Sequence, residues 1–143
     1  MPSGGLGSSR LERKSAASAL RKPTRDQRPA SWLPAVEGAC AKQATDLKVL
    51  DLREVTSFTD YFVLCTGGNQ RQIQAIADEI VLRLKRAGEL AVGTEGYDGA
   101  DWVLLDYGDF IVHVFSAKAR EYYDLERLWR HAKVVDLPAE TGG

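Results

Sequence analysis

Few residues of this chain are typed and spaced for chemistry. Thr66-Gly67-Gly68-Asn69 falls between an apolar run and an amphipathic run, where free amides and a helix dipole can hold a phosphate. It lacks the Gly-Lys-Ser/Thr of a Walker loop and contains no G-x-G-x-x-G. A tight turn followed by an N-cap explains it more simply. A nucleotidyl-transfer centre would add two carboxylates at i, i+2 on a strand, both aimed at Mg²⁺. The chain offers instead Asp98 with Asp101 and Asp106 with Asp109, in each case three apart. Ser57, Ser116 or Cys65 as a nucleophile would need a base. His113 sits among Ile, Val and Phe in an apolar run, where a satisfied, partly buried side chain is expected, and His131 near a helix end suits the helix dipole. Cys40 and Cys65 cannot build a disulfide framework and show no zinc-ligand spacing with the histidines. A reducing compartment, with no structural metal and no cofactor, is the expectation.

The elements that must position these residues follow from periodicity. Ser31, with Pro34 just behind it, opens a first helix to about Ala44. Leu47, Val49, Leu50 and Leu52 predict a strand, and Tyr61 to Cys65 a second one, apolar on both faces as a central strand should be. Asn69 caps the clearest helix, with Gln72 three residues on. Ile73, Ile76, Ala77, Ile80, Val81, Leu84 and Ala87 then fall at i, i+3, i+4, i+7, and Gly88 stops the run. After a loop over residues 93–99, Trp102 to Tyr107 and Phe110 to Phe115 read as two strands joined by Gly108-Asp109, a two-residue turn with glycine first that suits type II′. Ser116 caps a last helix to about Arg130, with Tyr122, Leu125 and Trp129 on one stripe and Glu126–Arg130 as an i, i+4 pair. Val134-Val135 adds a short edge strand. The order predicts an α/β fold with a mixed four- or five-stranded sheet and about three helices.

Three helices are few for covering both faces of such a sheet, so one face is expected to stay partly open. Trp102, Leu104 and Asp106 alternate with Val103, Leu105 and Tyr107, and neither set is polar enough for an ordinary solvated surface. An apolar sheet face edged by aromatics and acids reads as a protein-binding patch; cover by a long loop or by a second copy of the chain is the competing reading.

The formal charge of -1 on 143 residues hides an asymmetry. Residues 1–30 hold seven Lys/Arg and two Asp/Glu, giving +5, and residues 31–143 hold twelve and eighteen, giving -6. The first segment is rich in Gly, Ser, Ala, Pro and Arg and is expected to be disordered, since ordering it would bury almost nothing. A transit peptide and an RNA-touching arm compete with that reading; Pro23 and Pro29 weigh against the first. Residues 31–138 form the expected domain and 139–143 a short tail. No apolar run approaches the ~20 residues a membrane-spanning helix needs. The acidic domain shows no basic patch interleaved with aromatics, so direct nucleic-acid recognition by it is not expected. It favours a basic partner, and ribosomal proteins are abundant ones.

Several blocks, in order, resemble one family. They are Val49-Leu-Asp-Leu-Arg53, Thr59-Asp-Tyr-Phe-Val-Leu-Cys-Thr-Gly67, Asn69 to Glu79, Glu95-Gly-Tyr97, Asp101 to Phe115 and Ala119 to Trp129. Across roughly residues 33–136 the sequence is similar to the ribosomal silencing factors, also called Iojap or RsfS. The resemblance implies a nucleotidyltransferase-like fold without catalytic carboxylates and a role that is not enzymatic. It implies binding to the large ribosomal subunit through its L-fourteen protein, on the surface that faces the small subunit. Subunit joining is thereby prevented and translation dampened when nutrients are scarce. It further implies a homodimer when free and a cytoplasmic bacterial setting, organellar relatives acting in ribosome assembly. The contact is expected on the face and rim carrying Trp102, Leu104, Asp106, Tyr107 and Asp109, with Tyr61 and Glu95 nearby. The alternative function is residual nucleotide binding or nucleotidyl transfer at the Gly67-Gly68 turn.

Overall fold

A computed structural model describes residues 30–137. The expected tail, apart from Ala30, and the segment 139–143 lie outside the described residues. The elements are α1 (Leu33–Ala41), β1 (Thr45–Asp51), β2 (Tyr61–Gly67), α2 (Gln70–Arg86), β3 (Gly93–Glu95), β4 (Trp102–Asp106), β5 (Phe110–Ser116), α3 (Ala117–Tyr123), α4 (Leu125–Leu128) and β6 (Lys133–Val134). Six strands form one mixed sheet in the order β3-β4-β5-β2-β1-β6, in which only β2 and β5 run parallel. That is the expected α/β class with more strands than the four or five predicted. β3, three residues opening on glycine, is too short to show a period of two, and it exists because it pairs with β4.

Helix α2 forms as its sequence dictates. The Asn69 side chain accepts the Gln72 N–H at 2.8 Å, Gln72 turns back to accept the Gly68 N–H, and Ile73, Ile76, Ala77, Ile80 and Leu84 are buried. Val81 and Ala87, read as part of that stripe, are instead exposed, Ala87 as the C-cap. Together α1 and α2 cover the sheet face of Val63, Cys65, Val103, Leu105, Val112 and Val114, all buried. Gly38 permits their close approach, since a Cβ there would lie 3.3 Å from the Ile80 backbone. The cap of α1 is Trp32 rather than Ser31: the buried Trp32 indole, 5.9 Å from the Tyr61 ring, fixes where the helix begins.

The opposite face has a second core of Leu50, Leu52, Phe62, Leu64, Phe115 and Ala119, onto which Trp102, Leu125 and Trp129 pack. The single last helix expected there is two pieces. Asp124 takes a left-handed conformation (φ +48) and breaks it. The break lets Glu126 reach Arg120 (2.9 Å) and Lys48 of β1 (2.8 Å), while Arg120 also donates to the Thr66 hydroxyl at 2.9 Å. Glu126 therefore does not pair with Arg130, and Tyr122 is exposed rather than on a buried stripe.

Candidate partner-binding face

Cross-strand register assembles the face that α3 and α4 leave partly open. Glu95 of β3, Leu104 of β4 and His113 of β5 stand in one row across the sheet, with Gly93, Asp106 and Ile111 in the next. Trp102 lies opposite Phe115 in a third. All these side chains leave the sheet on the side away from α1 and α2.

The loop before β4 sets where Trp102 emerges. Gly96 has φ +81, and a Cβ there would lie 2.1 Å from the Trp102 carbonyl oxygen, so no larger residue fits. Helix α2 fastens that loop: Gln70 and Gln74 donate to the Asp98 and Tyr97 carbonyls at 2.9 Å, and the Tyr97 hydroxyl donates to Asp78. At the far end, the Ser116 hydroxyl donates to Asp101 at 2.7 Å and accepts the Ala119 N–H that it caps. Ser116 is thus a structural hydroxyl, not a nucleophile with a base.

Trp102 is partly exposed, packed 4.5 Å from Tyr123 and 5.2 Å from Phe115 by ring centroids. Its indole N–H donates to His113 Nδ1 at 3.0 Å. An indole only donates, so Nδ1 is an acceptor and the neutral imidazole carries its proton on Nε2. Burial pulls the His113 pKa down from 6.5 to about 3. A base held neutral by desolvation and spent on an indole is part of the wall, but it is more deeply buried than expected and only half satisfied, its Nε2 having no hydrogen-bond partner among the described residues. Cys65 is equally inert, its thiol pushed up to about 12 by burial.

The expected contact residues divide in two. Trp102, Leu104, Asp106 and Glu95 share the open face, and exposed Asp109 sits at its rim in the Gly108-Asp109 turn, where Gly108 has φ +82. The Asp106 carboxylate accepts the Gly108 N–H at 2.8 Å, so part of its work is to hold that turn. Tyr107 belongs to the other side: it is buried, stacks on Phe110 at 5.1 Å, and its hydroxyl is raised in pKa by burial. The alternation along β4 sends it there. Tyr61 also faces the α1 side, against Trp32 and under the Arg53 guanidinium at 5.3 Å.

One feature of the face was present in the sequence as a charge run. Residues 87–117 hold Glu89, Glu95, Asp98, Asp101, Asp106 and Asp109 and no Lys or Arg, so they carry the entire -6. The rest of 31–143 balances twelve Lys/Arg against twelve Asp/Glu. That segment builds β3, β4 and β5, one edge of the sheet. The Gly67-Gly68 turn offers much less. The Gly68 and Gln72 amides are taken by Gln72 and Asn69, and a Cβ on Gly67 would lie 2.7 Å from Ile73 Cγ1, so its glycine serves packing.

The framework is an α/β layer with an acid-edged, partly open apolar sheet face. The model of the family described as "Ribosomal silencing factor during starvation" matches residues 25–142, and this chain belongs to that family, RsfS. It is 43% identical over 108 residues to a ribosomal silencing factor of Bacillus subtilis, covering 75% of this chain and 92% of that one. A crystal structure of a Chromobacterium violaceum protein superposes with a TM-score of 0.69 at 35% identity, covering 76% of this chain and 88% of that one. A mouse relative named mitochondrial assembly of ribosomal large subunit protein 1 is 33% identical over 107 residues, 70% of this chain and 47% of its own length.

Proposed function

We propose that this domain silences translation by binding and makes or breaks no bond. It docks on the large ribosomal subunit through the L-fourteen protein at the intersubunit face and occupies the volume the small subunit needs. Family membership and the mouse relative's name support the ribosomal partner. The observation that carries the surface is the -6 confined to residues 87–117, beside the half-buried apolar side chains Trp102 and Leu104. Desolvated apolar area gives such a contact its affinity, while carboxylates meeting Arg or Lys give register and rate. The site of action is then the cytoplasm. A free homodimer belongs to the same proposal, because an apolar sheet face left bare invites association. Occupied amides at the start of α2 favour this reading over nucleotide binding.

The test is co-sedimentation with isolated large subunits and the rate of their joining to small subunits. Trp102 is a poor probe because its replacement strands His113 in the core. Leu104→Arg with Glu95→Lys alters two side chains of one row and opposes a basic partner. At least about a tenfold loss of subunit affinity is expected, with little change in melting temperature. Unhindered joining at saturating occupancy would refute the steric block, and wild-type affinity in the double variant would refute the face.

A further inference from the structure

At the opposite edge of the sheet the surface chemistry reverses. Residues 127–133, Arg-Leu-Trp-Arg-His-Ala-Lys, contain no acid. They run from α4 to β6, the last strand in the sheet order, and Arg127, Leu128, Arg130, His131 and Lys133 are exposed. The Arg130 guanidinium donates to the Arg127 carbonyl at 3.2 Å, and among the described residues neither arginine has a carboxylate partner. The neighbouring Lys133 is 3.7 Å from Glu54, with both side chains largely exposed.

Aromatic and apolar groups adjoin Trp129 of this segment. Phe58 of the β1–β2 loop is 56% exposed although its ring sits 5.8 Å from Trp129 and 6.2 Å from Phe62. Beside Trp129, an open recess of about 330 Å³ is lined by Val55, Leu128, Trp129, His131 and Ala132. Leu128 also borders a second recess, where Arg127 and Arg130 share the wall with Tyr122, Tyr123 and the carboxylates of Glu121 and Asp124. An open recess walled by an indole, with an exposed phenyl ring packed on that indole, suits a planar ring, and the two guanidiniums line the neighbouring recess that shares Leu128 with it.

We propose that this edge binds single-stranded RNA, a base entering beside Phe58 and Trp129 while Arg127 and Arg130 take the flanking phosphates. The inference rests on the ribosomal reading above, because a domain held by its acidic edge on a ribosomal protein presents its other edge to ribosomal RNA. It amends the expectation that the acidic domain lacks a basic patch among aromatics. RNA is favoured over an acidic peptide because stacking needs a π face, which a carboxylate side chain does not have.

The experiment is fluorescence anisotropy of the full chain with a labelled single-stranded RNA of mixed sequence, across a salt series, with a glutamate-rich peptide as the competing anion. Arg127→Glu with Arg130→Glu should weaken RNA binding by about tenfold or more. It should also flatten the log K against log salt slope by about 1.4, two phosphate contacts at ~0.7 each. Phe58→Ala should weaken binding about tenfold with an unchanged salt slope. Residues 1–29 are identical in every variant, so their basic charge cannot produce these differences. Unchanged affinity and slope in the arginine variant would overturn the proposal, as would full displacement of RNA by the peptide. Binding to isolated L-fourteen protein should stay at wild-type level in the arginine variant, so failure here and failure of the acidic edge read out separately.

Discussion

Burial among Phe62, Phe115 and Trp102 takes water from the His113 imidazole, and that desolvation brings its pKa to about 3, against 6.5 in an open chain. Below pH 6.5 the unfolded chain binds a proton there that the folded one refuses, so this side chain makes stability fall as pH falls. Its contribution is fully present above 6.5 and is lost on the way down toward 3. Asp51 and Glu126, lowered from 3.8 and 4.5 chiefly by hydrogen bonds to Arg53 and Arg120, act mostly below pH 5. Between pH 6.5 and 5 the histidine therefore acts nearly alone. Urea melts should show the wild-type domain losing about 1.5 kcal/mol across that interval, following the linkage relation. His113→Gln, whatever its absolute stability, should lose almost none of it. A variant with the wild-type slope would place the titrating group elsewhere. The same pair shows how much of the site was legible. That His113 is a wall residue follows from the Ile and Val around it, but its partner, eleven residues away, needed the β4–β5 register.

At the scale of elements, legibility followed the length of the repeating signal. Helix α2 has seventeen residues, a cap and an apolar stripe, and its bounds were readable almost to the residue. β3 has three residues and no pattern of its own. The α3–α4 break was hidden for a different reason: Asp124 is an ordinary helix-surface residue by sequence, and its left-handed backbone persists because Arg120, Glu126 and Lys48 draw the two pieces together. Those partners are 6 and 78 residues from Glu126, and the longer separation exceeds what local pattern reports. Arg120 is only 11% exposed, so its charge depends on Glu126, whose pKa falls to about 2 mainly through the Arg120 hydrogen bond. Glu126→Gln should cost about 1–3 kcal/mol at neutral pH, because it leaves a mostly buried guanidinium without its carboxylate. Arg120→Met with Glu126→Met should recover much of that loss, since removing both partners strands neither. Chemical denaturation of the wild type, Arg120→Met, Glu126→Met and the double variant decides it; a double variant whose loss equals the sum of the two singles would show that the pair acts independently.

For the whole molecule, the formal charge of -1 is a sum of unlike parts: +5 on residues 1–30, -6 on 87–117 and a balanced remainder. A large ribosomal subunit is mostly RNA, so its mean field repels an acidic domain. Only an approach that points the acidic edge at a basic protein gains, and charge concentrated on one edge favours that approach. Glu95→Gln, Asp98→Asn and Asp109→Asn together remove half of the -6 from exposed positions and leave the Asp106 turn bond in place. If local attraction governs encounter, this variant should associate with isolated large subunits several-fold to about tenfold more slowly at low salt. Its dissociation rate should change much less. The difference should close as salt rises toward 1 M, where screening reaches only ~3 Å. Mean repulsion by RNA would give the opposite sign, the neutralised variant associating faster at low salt. Stopped-flow association at two ionic strengths therefore decides whether the acidic edge steers the domain or hinders it.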